Sequence, residues 1–381
     1  MANENGIKKT NWVSSFVLVG RAKVNDYTFK IDAKSERSSW IYNSMNLGVD
    51  CGEKYGCVYS ELMGGYLEDK KNILHLHGKD DEGNEDWSKQ IKVDFEDRFN
   101  EDVIEEIGDG CFTEIGLEKT TAGKVYKKKF LSAYDAIAYV KEHLTDGMPI
   151  AVRGRLQYSM YNDRVQVRKT IQRITLITNE DNLNCHANFT QTILLDKDSA
   201  SLKDIDKDKS VMYINARVLD YVKEINGAEI KGNYPYSVTF EYPMNLAKPE
   251  LCKKVYEKLF KVKKDITQMT FEGDFVEGGA QVTATKEDIP EDIQELIDLE
   301  VLDEAEVLAK LSSGGSRERR MVLRKPFFKT VGDEDNKTTV LQKFEQRYTE
   351  DDLAIDLGDD APFDEEESSG DDSDMSWLED L

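Results

Sequence analysis

Residues 148–177 read MPIAVRGRLQYSMYNDRVQVRKTIQRITLI. Ile150, Val152 and, across Gly154, Leu156 alternate with Ala151, Arg153 and Arg155 at the two-residue period of a strand with one buried face. Asn162-Asp163 supplies a turn, after which Val165 and Val167 point one way and Arg164, Gln166 and Arg168 the other. Ile171, Ile174, Leu176 and Ile177 anchor the return strand. The sequence thus predicts a hairpin whose exposed face carries Arg153, Arg155, Arg164 and Arg168, with Tyr158 and Tyr161 near the turn. Guanidinium groups pair with phosphates, and tyrosine rings offer platforms for unstacked bases at roughly 1–3 kcal/mol per base. A merely solvated basic hairpin would carry the same residues.

Upstream, Ala133, Ile137, Val140 and Leu144 recur at helix spacing, and Gly147 and Pro149 stop that helix just before the hairpin. Ser14–Val24 reads as a strand bent at Gly20, and Tyr27–Ala33 as its return across Asn25-Asp26. Trp40, Tyr42, Tyr55, Tyr59 and Tyr66 follow, a density that suits a groove lining or a packed sheet. Asn72–Gly78 and Ile91–Phe95 read as short strands, and Phe99–Thr120 as an insertion with its own local structure. Lys127, Lys128 and Lys129 lie between Tyr126 and Phe130 and read as a basic edge. Thr121–Lys124 lacks the full phosphate-loop pattern. Strands, then a helix, then a Gly-bearing hairpin are the layout of a five-stranded barrel with one helix between its third and fourth strands, over residues 1–180.

Residues 181–286 repeat this plan. Val211–Tyr221 and Tyr236–Tyr242 alternate as strands separated by a turn with Gly227 and Gly232; a helix over about Pro249–Phe260 precedes a strand, Ile266–Val276, and a return at Gln281–Thr285. Around Gly273 stand Glu272 and Asp274, where Arg153 and Arg155 flank Gly154, so the second module reads as a weaker binder, a packing partner or an oligomerisation surface. Residues 287–311 read as an acidic amphipathic helical segment and 312–349 as a flexible region holding the basic and aromatic run RERRMVLRKPFFK. Residues 350–381 read as a disordered acidic tail with two apolar islands, Pro362-Phe363 and Trp377-Leu378, suited to docking partner proteins.

The net charge of −24 at first opposes a polyanionic partner. Its distribution removes the objection: Glu287–Ala309 and Glu350–Leu381 together carry −25 and leave the remainder at +1, while Lys119–Arg173 holds 12 basic and four acidic residues. Five cysteines and four histidines lack the paired spacing of a zinc module, and the odd cysteine count fits a reducing compartment. No metal or other cofactor is implied. The chain has no apolar run of membrane-spanning length, and its first residues lack the apolar core of a secretory signal, which predicts a cytoplasmic protein without membrane partners.

The first module resembles the bacterial-type single-stranded DNA-binding protein family in Val17–Arg21 as an opening strand and in Ala151–Leu156 followed by the basic hairpin. Asp359-Asp360-Ala361-Pro362-Phe363 is similar to that family's acidic Pro-Phe terminus, although here it lies 18 residues before the chain end. A large duplicated version, as in a bacteriophage replication protein, fits the length. The resemblance implies a mainly β fold with α additions, built as tandem, enlarged and divergent OB-like barrels. It also implies backbone contacts from Arg21, Arg153, Arg155, Arg164 and Arg168, base stacking on Tyr158 or Tyr161, and recruitment of replication or recombination proteins by the tail. The expected function is non-enzymatic coating of single-stranded DNA, with RNA not distinguished by sequence. An acidic interaction scaffold or virion component, and a nuclease using Asp32, Glu36, Asp50 and Glu53, are the alternatives.

Overall fold

The computed structural model describes residues 7–162, 164–180, 183–225, 228–278, 289, 293–294, 297, 307, 319–331, 338–341 and 343–353. The chain opens with β1 (Ser14–Lys23), a short β2 (Phe29–Lys34), β3 (Trp40–Asp50) and β4 (Cys57–Leu67). An insertion follows: β5 (Ile73–Lys79), β6 (Glu85–Asp94), α1 (Glu101–Glu106), β7 (Thr113–Lys119) and β8 (Val125–Phe130). Next come α2 (Ala133–His143), β9 (Pro149–Tyr161) and β10 (Arg164–Leu176). The second half contains β11 (His186–Leu195), β12 (Ile205–Asp206), β13 (Val211–Ile225), β14 (Ala228–Pro243), α3 (Pro249–Leu259), β15 (Ile266–Glu277) and β16 (Arg319–Pro326). After them lie β17 (Phe328–Val331), β18 (Thr338–Leu341), β19 (Lys343–Tyr348) and a short α4 (Glu350–Leu353).

Strand pairing closes two barrels of the same topology. In the first, β1 pairs β3, β3 pairs β4, β4 meets β10 in parallel at Glu61 and Thr170, and β10 and β1 both flank β9. In the second, β11, β13, β14, β16 and β15 repeat that circuit, with the parallel step at Glu241 and Val322. This is the five-stranded OB barrel, with a helix between third and fourth strands in each copy. Alternation explains the strands: Phe16, Leu18 and Ala22 of β1 and Ile150, Val152 and Leu156 of β9 are buried, while Arg21, Arg153 and Arg155 face outward. Ser132 caps α2 by accepting a hydrogen bond from the Tyr134 amide, and Ala136, Ile137 and Val140 turn into the barrel.

The barrels join through β1 and β11, which pair antiparallel from Ser14↔Gln191 to Val19↔His186. Phe16 faces Phe189 in that ladder, and each phenylalanine also faces a glycine within its own barrel, Gly154 or Gly273. The two halves are thus related by a pseudo-twofold axis at this pair. A Cβ on Gly154 would sit 1.9 Å from the Thr170 carbonyl oxygen and 2.8 Å from the Phe16 ring; one on Gly273 would sit 2.2 Å from the Phe189 ring. Buried polar side chains pair across the junction: Gln191 accepts hydrogen bonds from Ser14 (2.8 Å) and Tyr158 (3.0 Å), and Lys169 pairs with Glu277 at 2.5 Å. One apolar core runs through both barrels, and a second, smaller one under the β5–β6 hairpin gathers Val93, Ile107 and Phe112.

Several expectations change. The sequence reading ends the second module at residue 286 and leaves 312–349 flexible, whereas the structure takes the barrel's fifth strand, Arg319–Pro326, from that region. Its high charge resembles a linker only until its partners are placed: Arg320 pairs with Glu241 (3.2 Å) and Lys325 with Glu272 (3.1 Å), while Leu323 is fully buried. Gly232 lies inside β14, opposite Val222, not in a turn. The Lys127–Lys129 run is strand β8, paired with β7 at the sheet edge. The expected return strand Gln281–Thr285, most of the acidic segment 287–311, and Pro362, Phe363, Trp377 and Leu378 lie outside the described residues. Among the described residues, no helix is long and apolar enough to cross a membrane.

Candidate nucleic-acid interface

Residues directly opposite in an antiparallel pair share a face, so the β9–β10 register sets the composition of the outer surface. Arg173 stands beside Arg153, Thr170 beside Arg155, Arg168 beside Gln157, Gln166 beside Ser159 and Arg164 beside Tyr161. A bulge between Ile171 and Arg173 adds Gln172, whose amide oxygen, in the orientation that satisfies both groups, accepts from Arg155 at 2.7 and 2.9 Å. Arg153 is exposed with no side-chain partner among the described residues. Arg168 lies 3.7 Å from Glu61, and Arg173 2.9 Å from Glu114. Five guanidinium groups thus share a sheet face with two carboxylates, an electropositive strip along the barrel.

Across the parallel β4–β10 step the same surface continues onto the outer positions of β4 and β3: Tyr59, Glu61, Met63 and Gly65, then Tyr42, Ser44 and Asn46. Trp40 and Tyr42 stack here, centroids 4.7 Å apart and planes 18° off parallel. Gly65 makes the stack possible, since a Cβ there would stand 2.7 Å from the Trp40 Nε1. The sequence places these aromatics at alternate positions of one strand but does not assign them to the site; the i, i+2 spacing of Trp40 and Tyr42 was the available signal. Tyr66 instead packs between Phe95 and Tyr134, at 5.2 and 5.4 Å.

The other expected residues divide. Tyr161 is half exposed at the hairpin tip, next to Asn162, which takes the left-handed turn conformation (φ 46°). Tyr158 is no stacking platform: it is buried, donates to Gln191 and lies 6.4 Å from the Tyr236 ring. Burial, with the Asp220 carboxylate second, pushes its phenol above the ordinary range. The reason is the strand period itself, since Tyr158 falls two residues beyond buried Leu156 on the inward face. Arg21 sits at the far end of β1, donating to the Gly147 carbonyl (3.0 Å) and Glu180 (2.9 Å). Lys127 shares Glu114 with Arg173, Lys129 pairs with Asp109 at 2.8 Å, and Lys128 lies over the Tyr139 ring at 4.8 Å. The three lysines are therefore divided between different partners.

Register also places Glu272 and Asp274 at the pseudo-twofold equivalents of Arg153 and Arg155. There Arg324 reaches both carboxylates at 3.4 Å, and Lys54, from the β3–β4 tip of the first barrel, reaches Asp274 at 3.0 Å. The second barrel's outer face is therefore neutralised internally.

Within the insertion, Cys111 Sγ lies 3.2 Å from His77 Nδ1, His77 Nε2 contacts Glu85, and Trp87 stacks on the imidazole at 3.8 Å. Nearby backbone donors are already used: Gly110 donates to Glu85 (2.7 Å) and Cys111 to the Gly108 carbonyl (3.0 Å). Burial raises the thiol above its usual range. The contacts tie the β5–β6 hairpin to residues 109–111. Among the described residues no three His, Cys, Asp or Glu side chains are grouped to hold a metal ion.

A family model described as YorF matches residues 66–278, more than half of the chain. No curated protein matches. Among solved structures, the wild-type single-stranded DNA binding protein from Thermus aquaticus is similar at 10% identity and a TM-score of 0.33, over 85% of this chain and 96% of that one. A deletion mutant of the same Thermus aquaticus protein is similar at 10% identity and a TM-score of 0.31, over 70% and 87%. At those scores the likeness carries no weight beside the strand order, on which the fold assignment rests.

Proposed function

This chain belongs to the YorF family, and we propose that it binds single-stranded DNA with little sequence preference on the outer face of its first barrel. The observation that supports the reading most is the juxtaposition of five arginines on β9–β10 with the stacked Trp40–Tyr42 pair on β3, at a surface whose counterpart in the second barrel carries Glu272 and Asp274. Guanidinium groups neutralise successive phosphates while aromatic faces accept unstacked bases, a combination that reads charge and π-surface but not base identity. The β3–β4 surface is also where OB barrels present a face to oligonucleotides.

On this reading Arg153, Arg155, Arg164, Arg168 and Arg173 track the backbone, and Trp40, Tyr42 and Tyr161 supply platforms. Arg168 and Arg173, like Arg21, Lys127 and Lys129, contribute only after exchanging a carboxylate for a phosphate. The acidic residues of 354–381, with Pro362-Phe363 and Trp377-Leu378, recruit replication or recombination proteins. Fluorescence anisotropy with labelled DNA and RNA single strands and a duplex control tests the binding claim. Affinity for the single strand that falls steeply with salt is expected; no single-strand binding at low salt would refute it.

A further inference from the structure

We propose that the cleft between the β9–β10 hairpin of the first barrel and β13 of the second takes one nucleobase of the bound strand, its edge toward Gln157 and its face on Tyr221. The proposal rests on the single-strand reading and adds a contact from the second barrel to it. The cleft measures about 260 Å³ and is lined by Gln157, Tyr158, Ser159, Arg168, Asp220 and Tyr221. It lies where β9 has run past β1, so the free edge of β9 is met instead by Asp220, whose Oδ2 accepts from the Tyr158 amide at 2.8 Å.

The groups around the cleft restrict its occupant. Asp220 lines the cleft, where besides the Tyr158 amide it accepts from Lys9 Nζ at 3.0 Å and from the Tyr221 amide at 2.9 Å. Its charge disfavours a phosphate at that point. Arg168 Nε is turned toward the Glu61 carboxylate at 3.7 Å, so that guanidinium is already paired, whereas the Gln157 oxygen accepts from Thr170 at 2.6 Å, which leaves the Gln157 amide N–H groups to donate. The occupant must therefore offer an acceptor to Gln157 while presenting no negative charge to Asp220. A neutral heteroaromatic ring with carbonyl and ring-nitrogen acceptors meets both conditions. The Tyr221 ring, 56% exposed beside the cleft, is placed to stack on it. Arg164 and Tyr161 at the hairpin tip lie within a few residues, so a strand leaving the first barrel's face meets this cleft next.

The test uses the full chain with wild-type Tyr221, Tyr221→Ala and Tyr221→Phe, titrated against a mixed-sequence DNA single strand and against an abasic strand of equal length. Tyr221→Ala should weaken binding to the base-bearing strand by about 5- to 150-fold, the worth of one stacked base. Tyr221→Phe should bind like the wild type, and the abasic strand should not distinguish the three proteins. Equal affinity of Tyr221→Ala and wild type for the base-bearing strand overturns the cleft proposal and leaves the function intact. An equal loss on the abasic strand, or a loss in Tyr221→Phe, also overturns it. Failure of the wild type to bind any single strand overturns the functional reading beneath it.

Discussion

Replacing Arg153 and Arg155 together with alanine probes the interface where the structure allows a magnitude. Arg153 has no partner among the described residues and Arg155 leans on a neutral amide, so neither must break an ion pair to reach a phosphate. Each phosphate neutralised on a single strand contributes about 0.7 to the slope of log K against log salt. Losing both should make the slope shallower by about 1.4, and the wild-type advantage should then shrink about 25-fold between roughly 50 and 500 mM salt. Both side chains point to solvent, so the fold should melt where the wild type does. Arg21→Ala is the internal comparison: that guanidinium already pairs with Glu180 and should change the slope much less. Anisotropy titrations at a series of salt concentrations read all three proteins. An unchanged slope in the double variant, or an equal change in Arg21→Ala, would refute the assignment of this sheet face.

Four other perturbations follow from packing. Lys169→Met should destabilise by about 3–5 kcal/mol in chemical denaturation because it strands buried Glu277, and Lys169→Met with Glu277→Leu should recover much of that loss. Gly154→Ala should cost about 3 kcal/mol or more by driving a methyl into the Thr170 carbonyl and Phe16, whereas Gly123→Ala, with open space around it, should cost only the strain of its positive φ. Tyr158 is held neutral in the fold, so its contribution is fully present below the unfolded phenol value of about 10 and is lost as pH rises above it; Tyr158→Phe should flatten the alkaline fall in stability followed by tyrosinate absorbance. Truncation after Leu353, which keeps that buried residue in the small core with Ile7, Leu194 and Tyr348, should preserve or tighten DNA binding while abolishing partner capture; a loss of DNA binding would contradict the division of labour.

Sequence periodicity alone determined much of this protein. Alternation around Gly154 fixed the β9–β10 hairpin and its arginine face, helix spacing placed Ala133–His143 and Pro249–Leu259, and the recurrence of helix, strand and glycine revealed the duplication with Glu272 and Asp274 opposite Arg153 and Arg155. These features are local, since a two- or 3.6-residue period reports which side chains share a face regardless of what covers it. Even Tyr158 was legible as an inward residue by counting from Leu156, and its proximity to the turn misled. Tertiary structure decided what depends on partners distant in the chain. A basic run at 319–326 becomes a core strand because acids at 241 and 272 neutralise it, and lysines in one short sequence disperse to Glu114, Tyr139 and Asp109. The Trp40–Tyr42 stack joins the arginine strip only because β4 meets β10 in parallel, and Tyr221 reaches the first barrel's hairpin only because β1 and β11 join the two barrels. Charge and aromaticity are properties of residues, but whether they are spent internally or offered to a ligand depends on long-range pairing that no local period encodes.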